Sequence, residues 1–191
     1  MSVSNIEIEE LVLKDVANLQ YVENVPEYVQ KLALDKDWLS IAYIKNPSEV
    51  IKEYAVQING FSLRYLDNPT YKMKEMAISR TPNAIRYVPD ADEKLQLIAM
   101  GKNTSAITCI AHPTMLVQEM AVKENGNYIQ YIKDPSYSVL KLAVSTNGES
   151  IRWIKHKTDE LVNIALVQNP KALKYIPRPS PQQVLLTKLM K

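Results

Sequence analysis

The segment "AVQINGFSLRYLDNPTYKMKEM", residues 55–76, gives the pattern from which the architecture follows, because it returns every 22 residues along the chain. Residues 77–98 read "AISRTPNAIRYVPDADEKLQLI", and residues 143–164 read "AVSTNGESIRWIKHKTDELVNI". Each copy begins with an alanine, and the seven alanines stand 22 residues apart at Ala33, Ala55, Ala77, Ala99, Ala121, Ala143 and Ala165. A fixed period of this length is typical of stacked repeat proteins.

Other positions keep the same period. Leucine or isoleucine follows each alanine by eight residues, and an aromatic residue follows by ten, with one cysteine in the series: Tyr21, Tyr43, Tyr65, Tyr87, Cys109, Tyr131, Trp153 and Tyr175. Extending one period back from Ala33 reaches Leu11, so eight units cover residues 11–186.

Each unit predicts two short helices. The first begins after a residue that caps helix N-termini, and this residue recurs as Ser48, Thr70, Asp92, Thr114, Ser136, Thr158 and Ser180. Apolar residues at +3, +6 and +7 from the cap predict one buried face. Asparagine, glycine or proline near Asn59 and its equivalents predicts the helix end, with a left-handed residue there. The second helix carries the aromatic position and stops before a proline, as at Asn46-Pro47.

The two ends fit the same scheme. Ser4 and Glu7 form a capping-box pattern that predicts an end helix over residues 1–10, and Ser180 followed by Pro181 predicts a closing helix over residues 180–191. A 22-residue unit cannot bury its apolar face alone, whereas stacked units share one core. The sequence therefore predicts an all-α fold, a right-handed α-solenoid of about eight two-helix repeats with capping end helices. It predicts one repeat domain over residues 1–191.

The repeat resembles two groups of short two-helix repeats. It is similar to variant leucine-rich repeats, and closer to the NG/NP-type repeats of uncharacterised phage, giant-virus and protist proteins, through Asn59-Gly60 and through Tyr65-Leu66-Asp67-Asn68-Pro69. Like HEAT-like helical repeats, such proteins bind other macromolecules. The resemblance therefore implies a protein-binding role and a viral or mobile-element origin, in which the chain would block a host factor.

Enzymatic motifs are missing from the sequence. It has no nucleotide-binding glycine loop, HExxH or CxxC, so we expect no catalytic residue, no metal site and no cofactor. His112 and His156 stand two repeats apart, too far to share a metal, and Cys109 occupies a packing position. The lone cysteine, the lack of a signal peptide and the lack of a long apolar run predict a cytoplasmic protein without a membrane segment.

Charge is unevenly distributed along the chain. Residues 1–60 hold five Lys/Arg and ten Asp/Glu, and residues 61–191 hold eighteen and eleven. One outward position of the second helix is repeatedly basic, and Lys155 lies one turn further on. We therefore predict a partner-binding stripe formed by Arg64, Arg86, Arg152, Lys155 and Lys174. Ala42, Thr108 and Gln130 interrupt this stripe, and a purely solubilising role is the plainer alternative.

Four functions remain open from the sequence. The first is a non-catalytic scaffold or inhibitor that binds a protein partner through the basic stripe. The second is a nucleic-acid binder that uses the same stripe, with the tyrosine column either a structural ladder or a platform for unpaired bases. The third is an enzyme with carboxylates and Trp153 in a groove. The fourth is head-to-tail self-association through oppositely charged ends.

Overall fold

The computed structural model describes residues 4–190, which form nine α-helices and eight 3-10 helices in strict alternation. The α-helices are α1 (Asn5–Lys14), α2 (Glu27–Lys36), α3 (Glu49–Ile58), α4 (Tyr71–Arg80), α5 (Glu93–Lys102), α6 (Met115–Glu124), α7 (Tyr137–Thr146), α8 (Asp159–Gln168) and α9 (Pro181–Leu189). The 3-10 helices are η1 (Val16–Tyr21), η2 (Trp38–Tyr43), η3 (Gly60–Tyr65), η4 (Pro82–Tyr87), η5 (Thr104–Cys109), η6 (Gly126–Tyr131), η7 (Gly148–Trp153) and η8 (Pro170–Tyr175).

The predicted all-α repeat is confirmed, and the structure defines its second helix as a 3-10 helix of six residues. Asn59 shows how the two helices join, because it is both the C-cap of α3 and the N-cap of η3. Its side-chain oxygen accepts the Phe61 N–H at 2.9 Å, and its carbonyl accepts the Ser62 N–H at 2.9 Å. Asn59 alone separates the two helices, so the conformation of this one residue sets their relative direction.

The predicted N-caps head their helices. Side-chain oxygens of Ser48, Thr70 and Asp92, for example, accept the backbone N–H three residues on, and both end helices carry a capping box. Thr114 precedes α6 without such a bond, and its own N–H is instead donated to Gln96 Oε1 at 2.9 Å. Gln96 is buried and donates in turn to the carbonyls of Ala91 and His112, which ties α5 to the start of the next repeat.

The prediction of a left-handed residue at the end of each α-helix is wrong. Asn59 is extended, with φ −148°, and among residues 4–190 positive φ occurs instead at Asn24, Asn46, Asn68 and Asp134, in the loops after the 3-10 helices. Gly60 is required for close approach instead. A Cβ on Gly60 would lie 2.3 Å from the carbonyl oxygen of Ala77 in the next helix.

The buried face of each interior helix, α2 to α8, differs from the prediction at one position. The +3 and +7 positions are buried, but the residue at +6 is partly exposed, and the fully buried partner lies at +8: Leu34, Val56, Ile78, Met100, Val122, Val144 and Leu166. Residues at +6 lie between adjacent helices, where Tyr54 donates its hydroxyl to Asp35 at 2.7 Å. Each interior α-helix therefore contributes the residues at +3 and +8, together with the alanine at +7, to the core. The leucine or isoleucine of the 3-10 helix packs against them.

The contacts group the chain into two compact units, one ending at Val88 and the other beginning at Pro89. In the first unit α4 packs on α3 and η3, and in the second α7 packs on α6 and η6, so neighbouring repeats stack in a solenoid-like manner. The predicted single domain and its right-handed sense stay predictions. None of the helices between residues 4 and 190 is both long and apolar enough to span a membrane.

Candidate interaction surface

The five predicted binding residues all lie on the exposed side of the 3-10 helices or just after one. Arg64, Arg86, Arg152 and Lys174 each follow the buried leucine or isoleucine of their helix, or its partly buried equivalent Leu173, and point away from it. Lys155 is exposed in the loop after η7. Arg64 and Arg86 belong to the first unit, and the other three belong to the second.

In the second unit the structure brings together five side chains that we call the Glu149 cluster: Glu149, Arg152, Trp153, Lys174 and Tyr175. The Arg152 guanidinium lies 4.9 Å from the Trp153 ring centroid and 5.7 Å from that of Tyr175. Lys174 Nζ lies 4.8 Å from the Tyr175 ring. The Glu149 carboxylate joins Lys174 and Tyr175: it accepts from Lys174 Nζ at 3.5 Å and from the Tyr175 hydroxyl at 3.3 Å. Two cations are thereby held against two rings.

The first unit has a matching set, the Phe61 cluster: Phe61, Arg64, Tyr65, Arg86 and Tyr87. Arg64 lies 5.7 Å from the centroid of the neighbouring Tyr65 ring, and Phe61 meets Tyr87 edge-on at 6.3 Å. Trp38 from the preceding repeat adds a ring contact to Tyr65 at 6.5 Å. Each member stands 88 residues, or four repeats, before its counterpart in the Glu149 cluster.

The two clusters differ in the residue that supports the second ring. Phe61 supports Tyr87 by an apolar edge contact, whereas Glu149 supports Tyr175 and Lys174 through its carboxylate. The hydrogen bond to Tyr175, together with the Glu149 charge, raises the pKa of Lys174 above its ordinary value. Lys174 is therefore held in its charged form, and the nearby Glu149 carboxylate offsets part of the positive charge that it presents to a partner.

The aromatic column is more open than the ladder interpretation predicts, at Tyr21 of the first unit, which is 76% exposed, and at two positions of the second unit. Tyr65, Tyr87 and Tyr175 are half-buried, but Tyr131 and Trp153 are 48% and 46% exposed. Nearly half of each of these two side chains is open to a ligand, although Arg152 lies over the Trp153 ring and Tyr128 lies 6.3 Å from the Tyr131 ring. The column is thus part scaffold and part open surface.

The sequence reasoning missed Phe61 and Glu149, the residues that organise the two clusters. Each stands three residues before the arginine of its own 3-10 helix, and three residues is one turn of a 3-10 helix. Their contacts, however, are with the aromatic residue 26 residues on, Tyr87 or Tyr175, in the following repeat. Only the 22-residue period, which stacks consecutive 3-10 helices, could have indicated these contacts.

The other candidates carry no assembled site. His112 and His156 are exposed in loops, and Cys109 is partly buried in the aromatic column. Within the described range, no three histidine, cysteine, aspartate or glutamate side chains lie close enough together to hold a metal ion.

Comparisons with known proteins add no relative. The chain matches no protein-family model, no curated protein and no solved structure. The regular 22-residue α/3-10 unit is what the structure supports of the resemblance described above.

Proposed function

We propose that the chain is a non-catalytic interaction protein that binds an acidic patch of another protein through the exposed cations and rings of its 3-10 helices. The observation that carries the proposal is one arrangement that recurs at equivalent positions of both units: an arginine of the 3-10 helix lies over the aromatic ring that follows it, Arg64 over Tyr65 and Arg152 over Trp153. Arginine, tyrosine and tryptophan are the residue types that dominate binding energy in protein interfaces.

The ring contacts also favour binding energetically. A long basic side chain normally loses rotamer freedom when it meets a partner, and this loss weakens the complex. Arg152 and Lys174 are already held against rings in the free chain, so less freedom remains to be lost. The guanidinium and ammonium groups remain exposed and can reach carboxylates.

A second candidate is binding of single-stranded nucleic acid in the second unit. The exposed Tyr131 and Trp153 stand at the same position of consecutive repeats, and both rings could take a base. Arg152 beside Trp153 would then neutralise a phosphate.

The experiment compares two labelled probes by fluorescence anisotropy: a glutamate-rich peptide and an oligo-dT strand, at low and near-physiological salt. We expect the peptide to bind, and expect the charge reversals Arg64→Glu with Arg86→Glu, and Arg152→Glu with Lys174→Glu, each to weaken it. The control reverses Lys102 and Lys123, which are exposed on α5 and α6 outside both clusters.

Each outcome decides between the proposals. Equal loss in the control and in the cluster variants, or no binding of either probe, would contradict the cluster proposal. Binding of oligo-dT alone, lost in Trp153→Ala and falling steeply with salt, would replace it by the nucleic-acid candidate.

On the resemblance alone, we further propose kinship with the NG/NP-type repeats and a role in blocking a host factor. A gene neighbourhood without phage or mobile-element genes would contradict that origin.

A further inference from the structure

The first and last described helices expose positions that interior helices use to contact one another. Glu53 of α3 pairs with Lys72 of α4 at 3.1 Å, and Lys141 of α7 pairs with Glu160 of α8 at 2.6 Å. In the 22-residue register, the first member of each pair corresponds to Leu185 of α9. The second member corresponds to Ile6 of α1.

These two end positions are apolar where the interior pairs are charged. Leu185 is 55% exposed and Ile6 is 70% exposed. Leu189 adds to the surface of α9, and Leu11, which stands where interior repeats have a buried alanine, adds to that of α1. Exposed aliphatic residues at matching positions are complementary to one another.

The two end surfaces also carry opposite charge, which favours a contact between α1 and α9. Helix α1 carries Glu7, Glu9 and Glu10 with only Lys14 opposing them, whereas α9 carries Lys188 and no acidic residue. Two α1 helices, or two α9 helices, would therefore repel one another more than one of each kind. Both the apolar and the charged residues favour a contact between unlike ends.

We infer that α9 of one molecule packs against α1 of a second copy of this chain, in the way that consecutive α-helices pack within each unit. The contact is heterologous, because the two surfaces differ, and each added molecule brings a new α9 surface. Two short helices bury less than the roughly 1,200–2,000 Å² of a stable interface, so the contact is weak and grows with concentration. This inference does not depend on the proposed function.

The test is a concentration series of the 191-residue chain by sedimentation velocity and light scattering. We expect the wild-type average mass to rise with concentration. Ile6→Asp and Leu185→Asp should each weaken association about tenfold or more, because each buries a charge against an apolar residue. Val50→Asp is the matched control: Val50 occupies the position of Ile6 in the interior helix α3 and is 54% exposed.

Mixing the two variants gives the sharpest result. Ile6→Asp keeps an intact α9 surface and Leu185→Asp keeps an intact α1 surface, so the mixture should form a 1:1 dimer that does not grow further. A wild-type chain that stays monomeric through the series would overturn the inference without any variant. A mixture that forms no dimer, or a Val50→Asp control that loses association equally, would overturn it as well.

Discussion

The Phe61 cluster and the Glu149 cluster occupy the same positions four repeats apart, yet the second ring of each is supported by different chemistry. An aromatic edge supports the ring in the first unit, and a carboxylate supports the ring and the lysine in the second. The ion pair between adjacent α-helices is likewise reversed, Glu53 to Lys72 in one unit and Lys141 to Glu160 in the other. The residue types at buried positions therefore define the repeat. At exposed positions the residue types change between the units, but a contact between neighbouring repeats is kept.

The loops between repeats also differ. Asn24, Asn46 and Asn68 are left-handed in every such loop of the first unit. Among the equivalent positions of the second unit, the described residues show positive φ only at Asp134. The others are Asp90, His112, His156 and Arg178, and none of these four residues has a positive φ.

We expect the largest effect on stability from glycines at the start of the 3-10 helices, and these substitutions test whether the repeats pack in the same way in both units. Gly60→Ala and Gly148→Ala each place a Cβ within 2.3 Å of a backbone carbonyl oxygen, that of Ala77 or Ala165. We expect each to lower the free energy of unfolding by about 2–3 kcal/mol, because backbone must move. Gly101→Ala, which has open space in a helix, should instead raise it by about 0.5–1 kcal/mol. Urea unfolding followed by circular dichroism measures all three, and a tolerated Gly148→Ala would mean that the units pack differently.

The loop difference predicts a smaller, unequal effect. Asn46→Ala puts a residue with a Cβ into a left-handed conformation, φ 48°, and should cost about 1–2 kcal/mol. His156→Ala occupies the same register position without positive φ and should stay within about 0.5 kcal/mol of wild type. Asn46→Gly is the matched rescue. Equal losses at Asn46 and His156 in thermal unfolding would remove the distinction between the loops.

Affinity for an acidic partner should depend on the residue that supports the second ring of each cluster, Glu149 or Phe61. Glu149→Gln removes the carboxylate beside Lys174, and we expect the affinity for a glutamate-rich peptide to rise about two- to fivefold. Phe61→Glu introduces a carboxylate at the equivalent position and should lower it by a similar factor. Anisotropy titrations measure both, with unfolding curves confirming the fold. A fall in affinity for Glu149→Gln would show that ring placement matters more than the added charge.

We expect the smallest effect on stability from the ion pairs between adjacent α-helices, whose charges are exchanged between the two units. Lys141 and the Tyr137 hydroxyl hold the pKa of Glu160 below its ordinary value of 4.5, so the pair stabilises the fold above that pH. Its contribution is lost as pH falls through the lowered pKa. The melting temperature of Glu160→Gln should therefore lie slightly below that of wild type near pH 7, and the gap should close in acid. A gap that persists at about pH 3 would assign the effect to something other than ionisation.

The helices of this chain were predictable nearly to the residue. Caps such as Ser48 and Asn59 have side chains whose local hydrogen bonds mark a boundary, and the structure has α3 between them. The 3-10 geometry was not predictable, since the same apolar spacing fits a short α-helix. The outward position of Arg64 and Arg152 followed from the repeat, whereas the contact of Arg152 with Tyr175 crosses to the next repeat, at a distance that no local pattern gives.

The residue shared by consecutive helices, as at Asn59, constrains how such a chain can change length. A single-residue insertion at that joint would rotate every side chain of the 3-10 helix off its column and place buried leucines in solvent. Tolerated insertions are therefore confined to the loops before each α-helix, or come as complete 22-residue duplications. A lineage or a designer can extend this molecule only by whole repeats, and each added repeat brings one more 3-10 helix with an outward position equivalent to Arg64 and Arg152.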